Sequence, residues 1–169
     1  LPIYTHKEVA DFITRLISPL GAKTVLDPAC GDGRLLTSLK KDNPNLELDG
    51  FDTFTLSNLE PKSFQHYGQI DFLNIDEKTT GFACRKYDVV IMNPPYTRLS
   101  NLSSDYRGFL SLKFHDVDKM SQIGLHGYFI LESDNSSVFG YLNKDNYIIV
   151  INILLLLLFI YRSEEHTSE

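Results

Sequence analysis

Thr24-Val25-Leu26-Asp27-Pro28-Ala29-Cys30-Gly31-Asp32-Gly33-Arg34-Leu35-Leu36 is the stretch that decides the fold. Its opening residues read as a short buried strand, the small residues that follow as a tight loop, and a helix begins near Arg34. Gly31 and Gly33 let the backbone approach a ligand closely. A glycine pair of this kind also occurs in ordinary strand-to-helix turns, so the distances along the chain carry the argument. Leu46 to Phe51 alternates like a strand and delivers Asp52 at its end, where a carboxylate can accept from both hydroxyls of a ribose. Asp49 lies within that strand and is set aside. Gln69-Ile70-Asp71-Phe72 reads as the end of a third strand, with Asp71 placed to accept from an adenine amine and Phe72 to pack on its ring. Each acid taken alone reads sooner as a solvated strand-end carboxylate than as a ligand; the ordered series is harder to dismiss. A dinucleotide-dehydrogenase loop would need a third glycine where this chain has Leu36.

Working outward, Tyr87-Asp88-Val89-Val90-Ile91-Met92 is an apolar run that reads as a further buried strand, and Asn93-Pro94-Pro95-Tyr96 follows it directly. Ligands of open α/β sheets bind at the carboxyl ends of the strands. A rigid Pro-Pro step there holds a side-chain amide, backbone carbonyls and an aromatic ring in one arrangement. The exocyclic amine of adenine is a poor nucleophile because its lone pair is delocalised into the ring. Two acceptors can draw that pair back: the side-chain oxygen of Asn93 takes one N–H and the carbonyl of Pro94 the other, while Tyr96 stacks on the base. The plainer alternative is a strand ending in a Pro-Pro turn with a packed tyrosine. A proline-rich docking ligand is disfavoured further by the lack of a surrounding Pro-rich tract.

The chain opens with Thr5-His6-Lys7-Glu8, which fits a capping box, and Val9, Phe12, Ile13, Leu16 and Ile17 then recur at helical spacing until Ser18-Pro19-Leu20-Gly21. Thr5 either caps this helix or turns its hydroxyl toward a carboxylate ligand at the helix amino end.

Tyr4-Thr5, then Asp27-Pro28-Ala29-Cys30-Gly31-Asp32-Gly33, then Asn93-Pro94-Pro95-Tyr96 occur in an order that resembles the gamma class of N6-adenine DNA methyltransferases of restriction-modification systems, over roughly the first 150 residues. The resemblance implies an α/β, Rossmann-like, S-adenosylmethionine-dependent methyltransferase fold. This is a mostly parallel twisted sheet with helices on both faces, its first strand central and its last hairpin incomplete. It implies an S-adenosylmethionine site drawn from Tyr4, Thr5, Asp27, Pro28, Ala29, Cys30, Gly31, Gly33, Asp52, Asp71 and Phe72. There Thr5 and the Ala29 to Gly31 backbone hold the methionine end, Asp52 the ribose, and Asp71 with Phe72 the adenine. It also implies that Asn93, Pro94, Pro95 and Tyr96 form the catalytic tetrad receiving a flipped adenine, with direct in-line transfer and no metal. One departure is His6, where the family commonly has proline, which removes a preorganised first helical residue. The implied partners are DNA, gripped through a target-recognition domain or subunit outside this chain, and a specificity or nuclease subunit. An RNA-base or protein-glutamine N-methyltransferase would share the same tetrad, since each methylates a planar nitrogen. A nucleotide-binding module without turnover is the rival of another class.

The remaining sequence is less specific. Thr97 to Arg107 is polar and reads equally as a loop beside the target base or as a plain connecting loop; Phe109, Leu110, Leu112 and Phe114 hint at a helix. Gly127-Tyr128-Phe129-Ile130-Leu131-Glu132 reads as a fifth strand and Tyr147 to Ile151 as a sixth. Five scattered histidines and two cysteines, Cys30 and Cys84, are too few for a structural zinc site, and the cysteines are expected to stay reduced in cytoplasm. Cys30 reads as a packing residue. With 169 residues and 43% hydrophobic content the chain can bury one core, read as a catalytic domain over residues 1–153. Residues 154–169 combine a low-complexity run, Leu154 to Leu158, with Arg162-Ser163-Glu164-Glu165-His166-Thr167-Ser168-Glu169, which looks like the in-frame translation of a sequencing adapter. Leu1 in place of an initiator methionine reads as a frame cut at its start. Tyr147 to Tyr161 is interrupted by Asn152 and falls short of the ~20 apolar residues of a membrane span, so no membrane role is expected. The net charge of −6, or −4 without the last eight residues, predicts weak duplex binding by this chain alone.

Overall fold

Five segments pair as one sheet: β1 (Thr24–Asp27), β2 (Glu47–Asp52), β3 (His66–Gln69), β4 (Tyr87–Met92) and β5 (Leu142–Val150). The strand order is β3-β2-β1-β4-β5, and among the described residues all pairings are parallel. The structure, a computed structural model, describes residues 6–54, 66–75, 86–115, 124–134 and 142–150. Parallel strands need crossovers, and helices supply them on both faces. On one face α1 (Lys7–Ile17) and α2 (Arg34–Asp42) pack Val9, Ala10, Ile13, Ile17, Leu35, Leu36 and Leu39 against Val25, Leu48, Val89 and Ile91. On the other, α3 (Ser104–Lys113) and α4 (Leu125–Asp134) bring Leu110, Leu125, Tyr128 and Phe129 against Leu26, Phe51, Val90 and Met92. Burial on both faces explains why the central strands read as continuous apolar runs. The doubly wound architecture expected from the sequence, a parallel sheet with its first strand central and helices on both faces, is the one observed.

Two polar joints position the central strands. At the amino edge, the Asp88 carboxylate accepts from the Lys23 and Thr24 N–H groups at 2.8 and 3.0 Å, and the Asp88 N–H donates to Thr24 Oγ1 at 3.0 Å. Beneath β1, the Tyr87 hydroxyl donates to the fully buried Asp49 carboxylate at 2.5 Å. Asp49 is thus a core acceptor, as its place inside the strand implied.

Several local expectations are corrected. The first helix starts one residue later than the capping box required: His6 is its N-cap, makes no side-chain capping bond, and pairs instead with Glu8 at 2.9 Å. The third strand stops at Gln69; Asp71 caps a 3-10 turn, Phe72–Asn74, by accepting from the Leu73 N–H at 3.1 Å. The polar segment 97–107 is not one loop, since it holds a 3-10 turn, Leu99–Asn101, and the start of α3 at an N-cap, Ser103, that accepts from Tyr106 N–H at 3.2 Å. The expected fifth strand over Gly127 to Glu132 is the middle of α4, marked by Ser133 Oγ donating back to the Phe129 carbonyl at 2.8 Å. That helix has apolar residues all round because neighbours cover more than one of its sides, and a short run of that kind carries no period to tell helix from strand. The segment from Tyr147 is a strand, but it is the fifth. Tyr4, Thr5, Cys84 and the tail over residues 154–169 lie outside the described residues. No helix among the described residues is long and apolar enough to cross a membrane.

Candidate functional site

Because the strands run parallel, the loops that leave their carboxyl ends gather on one edge. β1 hands over to Pro28–Gly33, β2 ends in Asp52, β3 is followed by Asp71, and β4 runs into Asn93-Pro94-Pro95-Tyr96. β1 lies between β2 and β4, so the crossovers leave it in opposite directions and open a crevice at its carboxyl end. The sequence-predicted residues that are described therefore share one edge.

The loop after β1 is built on left-handed glycines: Gly31 has φ 55° and Gly33, the N-cap of α2, φ 69°. The Gly33 N–H donates to the Cys30 carbonyl at 2.8 Å and the Cys30 N–H to the Phe51 carbonyl at 2.9 Å, which fastens the loop to β2. Close packing continues below it, since a Cβ on Gly50 would stand 2.7 Å from Leu36 Cδ1 and 3.1 Å from Cys30 Sγ. Cys30 is buried, and desolvation with the nearby Asp27 and Asp52 carboxylates pushes its thiol far up, so it packs rather than attacks. Pro28 is buried and Ala29 half-buried.

Asp52 ties this loop to the end of β2. Its Oδ2 accepts from the Gly31 N–H at 2.8 Å and its Oδ1 from the Phe54 N–H at 3.0 Å. A carboxylate offers about four lone-pair sites, so two acceptor positions remain for hydroxyls. Phe54 is itself 67% exposed, an aromatic at the cleft edge that the sequence reading passed over.

Asp71 accepts from Leu73 N–H through Oδ1 and from the Tyr106 hydroxyl through Oδ2 at 2.8 Å. Phe72 was expected to face the base, yet it is 1% exposed and stacked on Phe129 with centroids 5.8 Å apart. A base would reach its ring only by displacing core.

In the tetrad, Asn93 is half-buried, Pro94 buried and Pro95 exposed. Tyr96 is 43% exposed, and one flank of its ring meets His126 at 5.1 Å between centroids, tilted 36°. Partial burial raises the Tyr96 hydroxyl above its ordinary range, so the ring stays neutral. His126, at the start of α4, has a buried Nδ1 with no hydrogen-bond partner among the described residues. No spacing in the sequence links it to Tyr96; the Leu125 N–H bonded to the Thr97 carbonyl at 2.9 Å brings them together.

Asp27 is the electrostatic outlier. It is buried at the end of β1 with Oδ1 accepting from the Ala29 N–H at 3.1 Å. Burial first, and the Asp52 charge in addition, lift its carboxyl from the ordinary 3.8 to about 8, against the Ala29 bond. Between those values the folded protein holds a proton that the unfolded chain releases. The stabilisation is complete below pH 3.8 and is lost as pH rises to about 8. Urea unfolding should therefore show stability declining across this window by on the order of a few kcal/mol, and Asp27→Asn, which keeps the acceptor for Ala29, should flatten the decline. A wild-type profile without slope would contradict a buried, protonated Asp27.

Among the described residues, no cluster of three His, Cys, Asp or Glu side chains could hold a metal ion. No curated protein matches the chain in sequence. Among solved structures, it is similar to a type I restriction-modification system methyltransferase subunit from Streptococcus thermophilus, with 20% identity over 87% of this chain and 34% of that one, TM-score 0.57. It is also similar to a protein described as a caffeoyl-CoA O-methyltransferase from Staphylococcus aureus, with 14% identity over 92% of this chain and 61% of that one, TM-score 0.53. The chain thus spans about a third of the first and 61% of the second. At such identities the likeness establishes the fold. The family follows from the sequence itself: residues 13–152, well over half of the chain, match the Eco57I restriction-modification methylase family, and the protein belongs to it.

Proposed function

We propose that this chain transfers a methyl group from S-adenosylmethionine to the exocyclic amine of adenine in DNA. The observation that carries the reading is the position of Asn93-Pro94-Pro95-Tyr96 at the carboxyl end of β4, on the same sheet edge as Asp52 and Asp71. The residues present fit the cofactor. Asp52 keeps two acceptor positions for ribose hydroxyls, Asp71 offers a carboxylate toward an amine, and the left-handed Gly31 and Gly33 bring backbone to the edge without side chains in the way. Phe72 supports the floor rather than a face, and the exposed Phe54 is the aromatic beside Asp52. When bound, the cofactor supplies an electrophilic methyl on a sulfonium. The chain's own residues then do the positioning: Asn93 Oδ1 and the Pro94 carbonyl accept the two N–H groups of the amine, and Tyr96, braced by His126, stacks on the base. The amine nitrogen becomes acidic only on alkylation and gives its proton to water, so no dedicated base is needed.

In this reading duplex affinity belongs to a target-recognition domain or subunit outside this chain, since a net charge of −6 gives little phosphate neutralisation. A specificity or nuclease subunit and a cytoplasmic setting complete the proposal. The test is incubation of the protein with methyl-tritiated S-adenosylmethionine and, separately, unmethylated DNA, RNA and a glutamine-containing peptide. Tritium in DNA adenine is the expected result. Label in RNA or peptide alone would overturn it, and cofactor binding with label nowhere would favour a nucleotide-binding module.

A further inference from the structure

The turn that presents Asp71 is held from above by α3 at both ends. From the first turn of α3, the Tyr106 hydroxyl reaches Asp71 Oδ2 at 2.8 Å. From the last, Lys113 Nζ donates to the Leu73 carbonyl at 2.6 Å and pairs with the buried Glu132 at 2.8 Å. Tyr106 is half-buried, with its ring tilted against Phe109 at 5.7 Å. Burial first, and the bond to the Asp71 carboxylate, push its hydroxyl well above the ordinary tyrosine range, so it stays a donor.

A carboxylate anchored at one oxygen can still swing about that anchor. Asp71 Oδ1 is anchored by the Leu73 N–H, which leaves the plane of the group undefined. A second donor on Oδ2 fixes the plane and leaves each oxygen one lone pair facing outward. We infer that Tyr106 is a positioning residue for adenine recognition, aiming the Asp71 carboxylate at the 6-amine of the cofactor. This rests on the reading of Asp71 as the adenine acceptor, and it gives α3 a task that neither the tetrad nor the glycine loop performs. Two donors on Asp71 also favour a third over an acceptor at the same spot, so a purine carrying a 6-carbonyl is repelled.

The test compares S-adenosylhomocysteine with S-inosylhomocysteine, which differs in bearing a carbonyl in place of the 6-amine, by titration calorimetry. Wild type should prefer the adenosyl ligand by about tenfold or more. Tyr106→Phe should shrink that preference to less than about threefold while leaving inosyl affinity nearly unchanged. A merely structural role would weaken both ligands in parallel and preserve the ratio, which would overturn the inference. Wild type binding neither ligand, or showing no preference, would instead sink the cofactor reading on which this one stands. Should Tyr106→Phe fail to fold, unaltered protein with ring-labelled tyrosine supplies the answer. The Tyr106 resonance should shift on saturation with S-adenosylhomocysteine; an unmoved signal under saturating ligand would refute the contact.

Discussion

Asn93→Ala is expected to slow methyl transfer about a thousandfold while changing S-adenosylhomocysteine affinity less than about threefold. The reacting amine donates two N–H groups, and its lone pair becomes available only when both are drawn to acceptors in the plane that leaves nitrogen pyramidal. One acceptor, the Pro94 carbonyl, belongs to the backbone and survives any substitution. The Asn93 side-chain oxygen is the separable half, and its loss leaves an N–H unpaired in a site whose neighbour Pro94 is buried. Because the interaction matures as the nitrogen changes geometry, the effect belongs in the rate rather than in cofactor binding. Asn93→Asp keeps an acceptor oxygen and should retain more activity than the alanine variant. Single-turnover transfer with labelled cofactor, beside calorimetry, separates these effects. A rate within tenfold of wild type for Asn93→Ala would remove Asn93 from the chemistry.

Asp52→Ala should cost about a hundredfold or more in cofactor affinity, because hydrogen bonds to a charged acceptor are each worth roughly 1.5–3 kcal/mol. Two effects combine. The ribose loses its acceptors, and the Gly31 and Phe54 N–H groups lose theirs, at 2.8 and 3.0 Å, so the loop after β1 loosens as well. Asp52→Asn keeps one oxygen and should lose only about tenfold. A neighbour responds too: the Asp52 charge is one cause of the raised Asp27 carboxyl, so Asp52→Ala should make the pH decline of stability smaller and end it at a lower pH than in the wild type. An affinity loss below about threefold in Asp52→Ala would mean that the ribose does not sit there.

The sheet was legible where a strand announces itself as an apolar or alternating run, as β1, β2 and β4 do; Asp52 and Asn93 stand at or just past the ends of β2 and β4, whereas β3 has no such pattern and stops at Gln69, two residues before Asp71. The misreadings share a physical origin. Gly127 to Glu132 reads as a strand because a helix buried on several sides shows no 3.6-residue period. The beginning of α3 was hidden in a run of Ser, Asn and Asp residues, although Ser103 with Asp105 in the first turn carries a capping signal. Phe72 was expected to face the base because an aromatic after a strand-end acid looks accessible. Only the placement of Phe129 on α4 shows where that ring goes. His126 and Tyr106 were beyond reach for a different reason: each acts on a residue 30 or more positions earlier, through a helix whose docking no local pattern encodes.

The reciprocal joint of Asp88 with Lys23 and Thr24 lies at the rear of the molecule, opposite the chemistry. β1 and β4 share ladder partners at Val25↔Val89 and Leu26↔Val90, and this rivet helps to keep the two strands in step. The front is thereby relieved of that duty. Loops over the mouth can be lengthened, swapped or bent without unseating the frame beneath.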